Sequence, residues 1–195
     1  LIPKEAPAMD VLRTGVSMLG HFDPEAEVGS HDANLRKAER LLARIPTLVA
    51  ARNRLKHGQE PIPPRADLGH ASNQLFMLSG KEPPAEHARA LDVSLILYTE
   101  HEFNASTFAC RVTASTLSDI YSAATSGVGT LKGPLHGGAN EEAIKLLLEV
   151  GGPANAEPWV HKMFAEKKLI MGFGHRVYKT IDPRAVIISR YCKSI

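Results

Sequence analysis

The chain has 195 residues, a formal net charge of +2 and 44% apolar side chains. That is enough for one large domain or one and a part, with a sizeable core. The near-neutral balance and an aromatic content of 6% argue against a dedicated nucleic-acid binder, which needs a concentrated basic face and rings for stacking. The two cysteines, Cys110 and Cys192, are too few for a disulfide framework and point to a reducing compartment.

Almost every segment reads helical. Met9, Leu12, Val16 and Leu19 recur at helical spacing over residues 8–20. Ser30 and Asp32 offer an N-cap for a helix to about Leu55, striped by Leu35, Ala38, Leu41, Leu42, Ile45, Leu48 and Val49. Pro46 lies inside that stripe and is expected to kink or split it. Gly58 is a stop, and Pro61, Pro63 and Pro64 make a stiff extended connection.

A helix over 67–78 follows, with Leu75, Phe76 and Leu78 expected in the core, ended by Gly80 and Pro83-Pro84. The period resumes over 85–100 with Ala88, Leu91, Val93, Leu95 and Leu97. One long helix, rich in small residues, is expected over 103–130. Beyond Gly137-Gly138 the reading gives a helix at 140–150, a break at Gly151-Gly152-Pro153, and a helix at 155–167. The last helix starts at Pro183 with Asp182 as its N-cap. No strand alternation persists, so the fold class is all-α. No apolar run approaches the roughly 18 residues of a membrane span, and no signal peptide is visible. The chain opens at Leu1-Ile2-Pro3-Lys4 and closes at Tyr191-Cys192-Lys193-Ser194-Ile195 within a helical stretch, which gives the expectation of a piece of a longer polypeptide.

Three of the nine histidines stand in unusual company. They are His101 in Glu100-His101-Glu102-Phe103-Asn104, His136 in Gly133-Pro134-Leu135-His136-Gly137-Gly138, and His175 in Gly172-Phe173-Gly174-His175-Arg176. Histidine suits proton traffic near neutral pH, and flanking glycine lets a ligand approach the backbone. His136, just before a helix start, can hydrogen-bond an oxygen on which negative charge develops. His175 is followed by Arg176, Lys179 and Arg184, cations that suit a phosphate or a carboxylate. His21, His31, His57, His87 and His161 read as surface residues. A metal site is rejected: the histidines lack i, i+4 pairing, and neither cysteine has a Cys or His partner nearby in sequence. The glycine loop lacks the Lys-Ser/Thr ending of a P-loop, and no Gly-x-Ser-x-Gly elbow is present.

These three segments, in this order, strongly resemble the citrate synthase family. The stretch Gly172-Phe173-Gly174-His175-Arg176-Val177-Tyr178-Lys179 through Asp182-Pro183-Arg184 is close to the family's signature. The resemblance extends over the chain, including Met9-Asp10-Val11-Leu12-Arg13-Thr14 and Leu117-Ser118-Asp119-Ile120-Tyr121-Ser122, and Glu100–Phe108 looks like the 2-methylcitrate synthase branch.

The resemblance implies an acyltransferase that condenses acetyl-CoA or propionyl-CoA with oxaloacetate through an enol or enolate, then hydrolyses the thioester. His136 matches the histidine that stabilises the enolate, and His175 the one that polarises the keto group. His101 and Arg184 match further oxaloacetate-binding positions, with His136 and His175 in the same set. Met171, Gly172, Phe173, Gly174 and Lys179 match the CoA-binding region. No cofactor or metal is implied, since the CoA thioester is a substrate.

Also implied are a large helical domain over 1–139, the beginning of a small domain over 140–195, and a hinge near His136–Asn140. A homodimer or dimer-based assembly is expected, with the small-residue helix at 115–130 at its contact. A cytoplasmic location follows, with an organelle left open. The family's general base is an aspartate of an Asn-Val-Asp type motif beyond Asp-Pro-Arg, which this sequence does not contain. The 195 residues alone are therefore expected to be inactive. The alternative is a catalytically incomplete helical module that pairs with full-length subunits.

Overall fold

The computed structural model describes residues 2–174, 178–192 and 195, and within them the regular structure is helical. The chain divides into two compact units. The first comprises residues 1–129 and 182–195, and the second residues 130–181.

The first unit opens with α1 (Ala8–His21) and α2 (His31–Lys56). Ser30 caps α2 by accepting a hydrogen bond from the Ala33 amide at 3.3 Å. Pro46 does not split α2, which runs unbroken through it with Pro46 itself buried. The ring removes one N–H bond from a helix of 26 residues that also packs against two others. Next comes α3 (His70–Ser79), closed by Gly80 in the left-handed region at φ 77°. Its fully buried residues are Ala71 and Met77, whereas Leu75, Phe76 and Leu78 are half-buried. Then α4 (Ala85–Tyr98) follows.

The long helix expected over 103–130 is two helices, α5 (Ala105–Ser115) and α6 (Ile120–Leu131). Leu117 turns left-handed at φ 65°, and the Asp119 carboxylate accepts from the Tyr121 and Ser122 amides at 2.8 and 2.9 Å. Asp119 thus starts a new helix where composition showed no break.

Val16, Leu41 and Tyr121 form a buried cluster from α1, α2 and α6, flanked by Leu12, Leu19, Ile45 and Leu48. Polar groups lock the same region. Asp23 accepts from the Tyr121 hydroxyl and from Arg40 Nε at 2.7 Å. Lys37, 1% exposed, donates to the Ala26 and Val28 carbonyls at 3.1 and 2.8 Å. The helices pack in succession, α1 on α2, α2 on α3 and α3 on α4, and the last helix, α9 (Pro183–Cys192), packs against α4.

The second unit holds α7 (Gly138–Val150), a 3₁₀ turn at Pro153–Asn155 and α8 (Ala156–Ala165). Gly151 ends α7 in the left-handed region at φ 72°. Among the described residues of this unit Met163 is the one buried apolar side chain.

Candidate functional site

The first unit gathers one group of the residues singled out above. His101 follows α4 by three residues and is half-buried. Its loop is shaped by local bonds: the Glu102 amide donates to Glu100 Oε1 at 2.5 Å, and Glu102 is left-handed at φ 53°. Asn104 caps α5, accepting from the Thr107 amide at 3.0 Å and from Ser106 Oγ at 2.8 Å. The Arg111 guanidinium lies 4.9 Å from the centre of the Phe103 ring and pins the loop to α5.

Arg184 is the second residue of α9. Asp182 caps that helix as expected, with the Arg184 amide donating to its Oδ1 at 2.9 Å. The same carboxylate also grips the Arg184 side chain. Nε donates to both oxygens at 3.1 Å, and Nη2 donates to Oδ2 at 2.7 Å. This is a side-on, two-toothed ion pair. The Arg184 hydrogen bonds hold the Asp182 carboxyl below its ordinary range, against the upward push of burial, and a charge on His101 works in the same downward direction. His101, Asp182 and Arg184 therefore share one electrostatic neighbourhood. The ring of Tyr98, the last residue of α4, lies 5.6 Å from Arg184 Cζ. Neither the grip of Asp182 on the guanidinium nor the ring of Tyr98 was read from the sequence. The Asp-x-Arg spacing carried the first signal, and nothing local carried the second.

The second unit holds the other group. His136 is half-buried in a tight turn, its amide donating to the Gly133 carbonyl at 2.9 Å and its carbonyl accepting from the Ala139 amide at 3.1 Å. The turn collapses on itself. A Cβ at Gly138 would stand 2.8 Å from the Gly133 and Lys132 carbonyl oxygens, and one at Gly137 would meet Leu131 at 2.6 Å. His136 thus sits directly before Gly137, the N-cap of α7, at the positive end of its dipole.

Met171–Gly174 form a turn in which Gly172 and Gly174 are left-handed at φ 91° and 81°. Gly172 approaches α7, where a Cβ would reach the Ala143 methyl at 3.5 Å. Phe173 and Lys179 are exposed. His175 lies outside the described residues. The histidines expected at the surface, His21, His31, His57, His87 and His161, are exposed. Among the described residues no group of three or more His, Cys, Asp or Glu could hold a metal ion, and no helix is long and apolar enough to cross a membrane.

The whole chain, residues 1–195, matches the family model described as citrate synthase, C-terminal domain. The chain belongs to the citrate synthase family. Citrate synthase 2 of Bacillus subtilis is 51% identical over 187 residues, which are 96% of this chain and 50% of that protein. A 2-methylcitrate synthase of Mycobacterium tuberculosis is 48% identical over 189 residues, 97% of this chain and 48% of that protein. Among solved structures, citrate synthase from Pyrobaculum aerophilum superposes with a TM-score of 0.85 at 42% identity, covering 98% of this chain and 50% of that one.

Citrate synthase from Thermoplasma acidophilum, in a ternary complex with carboxymethyl coenzyme A and oxaloacetate, gives a TM-score of 0.84 at 36% identity, covering 95% of this chain and 49% of that one. The chain thus spans about half the length of the citrate synthases it matches.

Proposed function

We propose that this chain carries part of the site at which an acyl-CoA is joined to oxaloacetate. The observation that carries the reading is the grouping of His101, Asp182 and Arg184 in one unit, where His101 and Arg184 stand at the positions that the resemblance assigns to oxaloacetate binding. The positive charge of Arg184 suits a carboxylate of a dianionic keto acid, and the charge of His101 acts in the same neighbourhood. His136, held in its glycine turn at a helix start, donates to the thioester oxygen as the enolate forms. His175 donates to the keto oxygen as the new carbon–carbon bond forms and negative charge moves onto that oxygen. Met171, Gly172, Phe173, Gly174 and Lys179 meet the CoA portion.

The proton removed from the acyl α-carbon needs a positioned base. None of the residues matched here supplies one, because Asp182 is engaged with Arg184 and the start of α9. In this reading residues 1–139 are large-domain sequence, residues 140–195 begin the small domain, and the molecule works as a cytoplasmic homodimer. The acyl group is acetyl or propionyl. One methylene in an apolar pocket is worth about 1–3 kcal/mol, so choosing between them is a matter of measured preference.

Isothermal titration of the chain with oxaloacetate tests the binding half. Saturable heat is expected, lost in Arg184→Gln. Thiol release with acetyl-CoA and with propionyl-CoA, each with oxaloacetate, tests the chemical half. The 195-residue chain is expected to release none. No heat of binding would sink the first half, and steady thiol release would sink the claim that the base is missing.

A further inference from the structure

Phe103 is 68% exposed, so burial does not account for a large ring there. It directly precedes Asn104, the N-cap of α5, and Phe108 is the fourth residue of that helix. A residue before the cap often packs on the fourth helical residue, which fixes the angle at which the chain enters. Here the ring meets a partner further along. The Arg111 guanidinium lies 4.9 Å from its centre, about one turn beyond Phe108, within the range at which a cation is drawn to a ring face. Both residues belong to the first unit, and α5 is itself seated on α6, where Cys110 meets Gly127.

The backbone beside Phe103 is strained. Glu102 is left-handed at φ 53°, a conformation that a side chain other than glycine keeps only where neighbouring contacts hold it. One tie lies within the loop, from the Glu102 amide to Glu100 Oε1, and it travels with the loop. Two ties reach α5: the Asn104 cap, and Arg111 on the Phe103 ring. The cap sets where α5 begins, and the contact made by the residue before it sets the angle of the entering chain.

We infer that Phe103 and Arg111 are positioning residues: the ring on the guanidinium fixes the strained turn at Glu102, and with it the place of His101 in the oxaloacetate site. The inference rests on the reading that His101 binds oxaloacetate. His101 is two residues before Phe103, across the strained position. When Glu102 relaxes to a negative φ the chain before it changes direction, and His101 leaves the neighbourhood it shares with Asp182 and Arg184. A histidine already in place loses less freedom when substrate binds, so affinity rises with no contact between Phe103 or Arg111 and the substrate.

The test uses the full chain with Phe103→Leu, Phe103→Tyr, Arg111→Gln, the Phe103→Leu/Arg111→Gln double variant and His101→Asn. Two readouts are taken: oxaloacetate titration, and the NMR resonance of the His101 ring Cε1–H, assigned by its disappearance in His101→Asn. Leucine keeps an apolar residue before the cap but offers no ring face to Arg111. In Phe103→Leu the resonance is expected to move and oxaloacetate to bind about two- to five-fold more weakly, the range of an exposed cation–ring contact. Arg111→Gln keeps the ring and its magnetic effect, and it should still move the resonance and weaken binding alike. Phe103→Tyr should keep both readouts, with affinity within twofold. The double variant should bind no worse than the weaker single variant, because each single removes the same contact. Both side chains are exposed, so melting midpoints should stay close to that of the wild type and a loss of affinity is not a loss of fold. Wild-type affinity in Phe103→Leu overturns the inference. So do additive losses in the double variant, or weaker binding with an unmoved His101 resonance, which would put the ring on the substrate itself. Wild-type oxaloacetate binding in His101→Asn overturns the reading beneath it, and that result is visible separately from the Phe103 and Arg111 variants.

Discussion

His136 shows what a glycine does beside a candidate site residue. The sequence suggested conformational freedom in Gly133-Pro134-Leu135-His136-Gly137-Gly138. The structure shows a different cause. Gly137 has an ordinary helical φ of −62°, which any residue can adopt. What it and Gly138 lack is room. The Cβ of an alanine at 138 would lie 2.8 Å from two backbone carbonyl oxygens, those of Gly133 and Lys132, and backbone cannot step aside as a side-chain tip can. Gly138→Ala is therefore expected to open the turn and lower stability by about 1–3 kcal/mol, the usual cost of overpacking. The chain's one tryptophan, Trp159, sits in the same unit and donates to Glu149 Oε1 at 3.1 Å, so its emission reports there. A urea midpoint by Trp159 emission unchanged from wild type would show that the turn relaxes freely. By contrast Gly172 and Gly174 do use positive φ, and there the sequence reading and the backbone agree.

At the scale of elements, the pair α5 and α6 depends on small residues for a close crossing. Gly127 is buried on α6, and a Cβ there would run into the Cys110 sulfur of α5. Burial raises the Cys110 thiol above its ordinary range, as expected for a sulfur packed against another helix. Gly127→Ala should cost about 1–3 kcal/mol. Cys110→Ala should recover part of that loss, because the two side chains then share the space. A double-mutant cycle by thermal melting measures the coupling, and strictly additive effects would mean that the helices separate instead.

Legibility followed the local signals. Helices with caps written next to them, such as Ser30 before α2 and Asp182 before α9, stood within a residue or two of their expected starts. The break between α5 and α6 was missed because it has neither glycine nor proline. Leu117 takes a left-handed conformation that its side chain disfavours, which nothing in its residue type announces, and Asp119 before Ile120 was the one overlooked sign. Of the kink or split expected at Pro46 the split did not occur, since the helix runs on through a buried proline. Among the candidate site residues, type and spacing singled out His101 and Arg184 in the first unit and His136 in the second. Tyr98 was hidden, because its partner is remote in sequence and adjacent only once α4 meets α9.

Across the whole molecule the two units differ in what holds them. The second has one buried apolar side chain among its described residues, while the first has both an apolar cluster and a polar lock. Asp23 is the centre of that lock. Burial pushes its carboxyl up, but hydrogen bonds from Tyr121, the Glu25 amide and Arg40, with the Arg40 charge, outweigh burial and bring it to about 2 from an ordinary 3.8. Glu25 is brought to about 2 as well, through Arg36 first and then Arg40. For a carboxyl depressed on folding, the stabilising contribution is fully present above its unfolded value and is lost as pH falls through its folded value.

The first unit should therefore hold its stability down to about pH 4 and lose it steeply toward pH 2. Asp23→Asn keeps the shape but gives up the charge that pairs with Arg40. It should be less stable than wild type above pH 4, with a shallower decline below it, because of the lock's two carboxylates only the more exposed Glu25 then titrates. Helical circular dichroism, carried mainly by the first unit, follows the decline, and Trp159 emission follows the second unit in the same samples. If Asp23→Asn and wild type lose helicity with the same slope between pH 4 and pH 2, the lock does not carry the acid sensitivity, and the apolar cluster of Val16, Leu41 and Tyr121 sustains the unit without it.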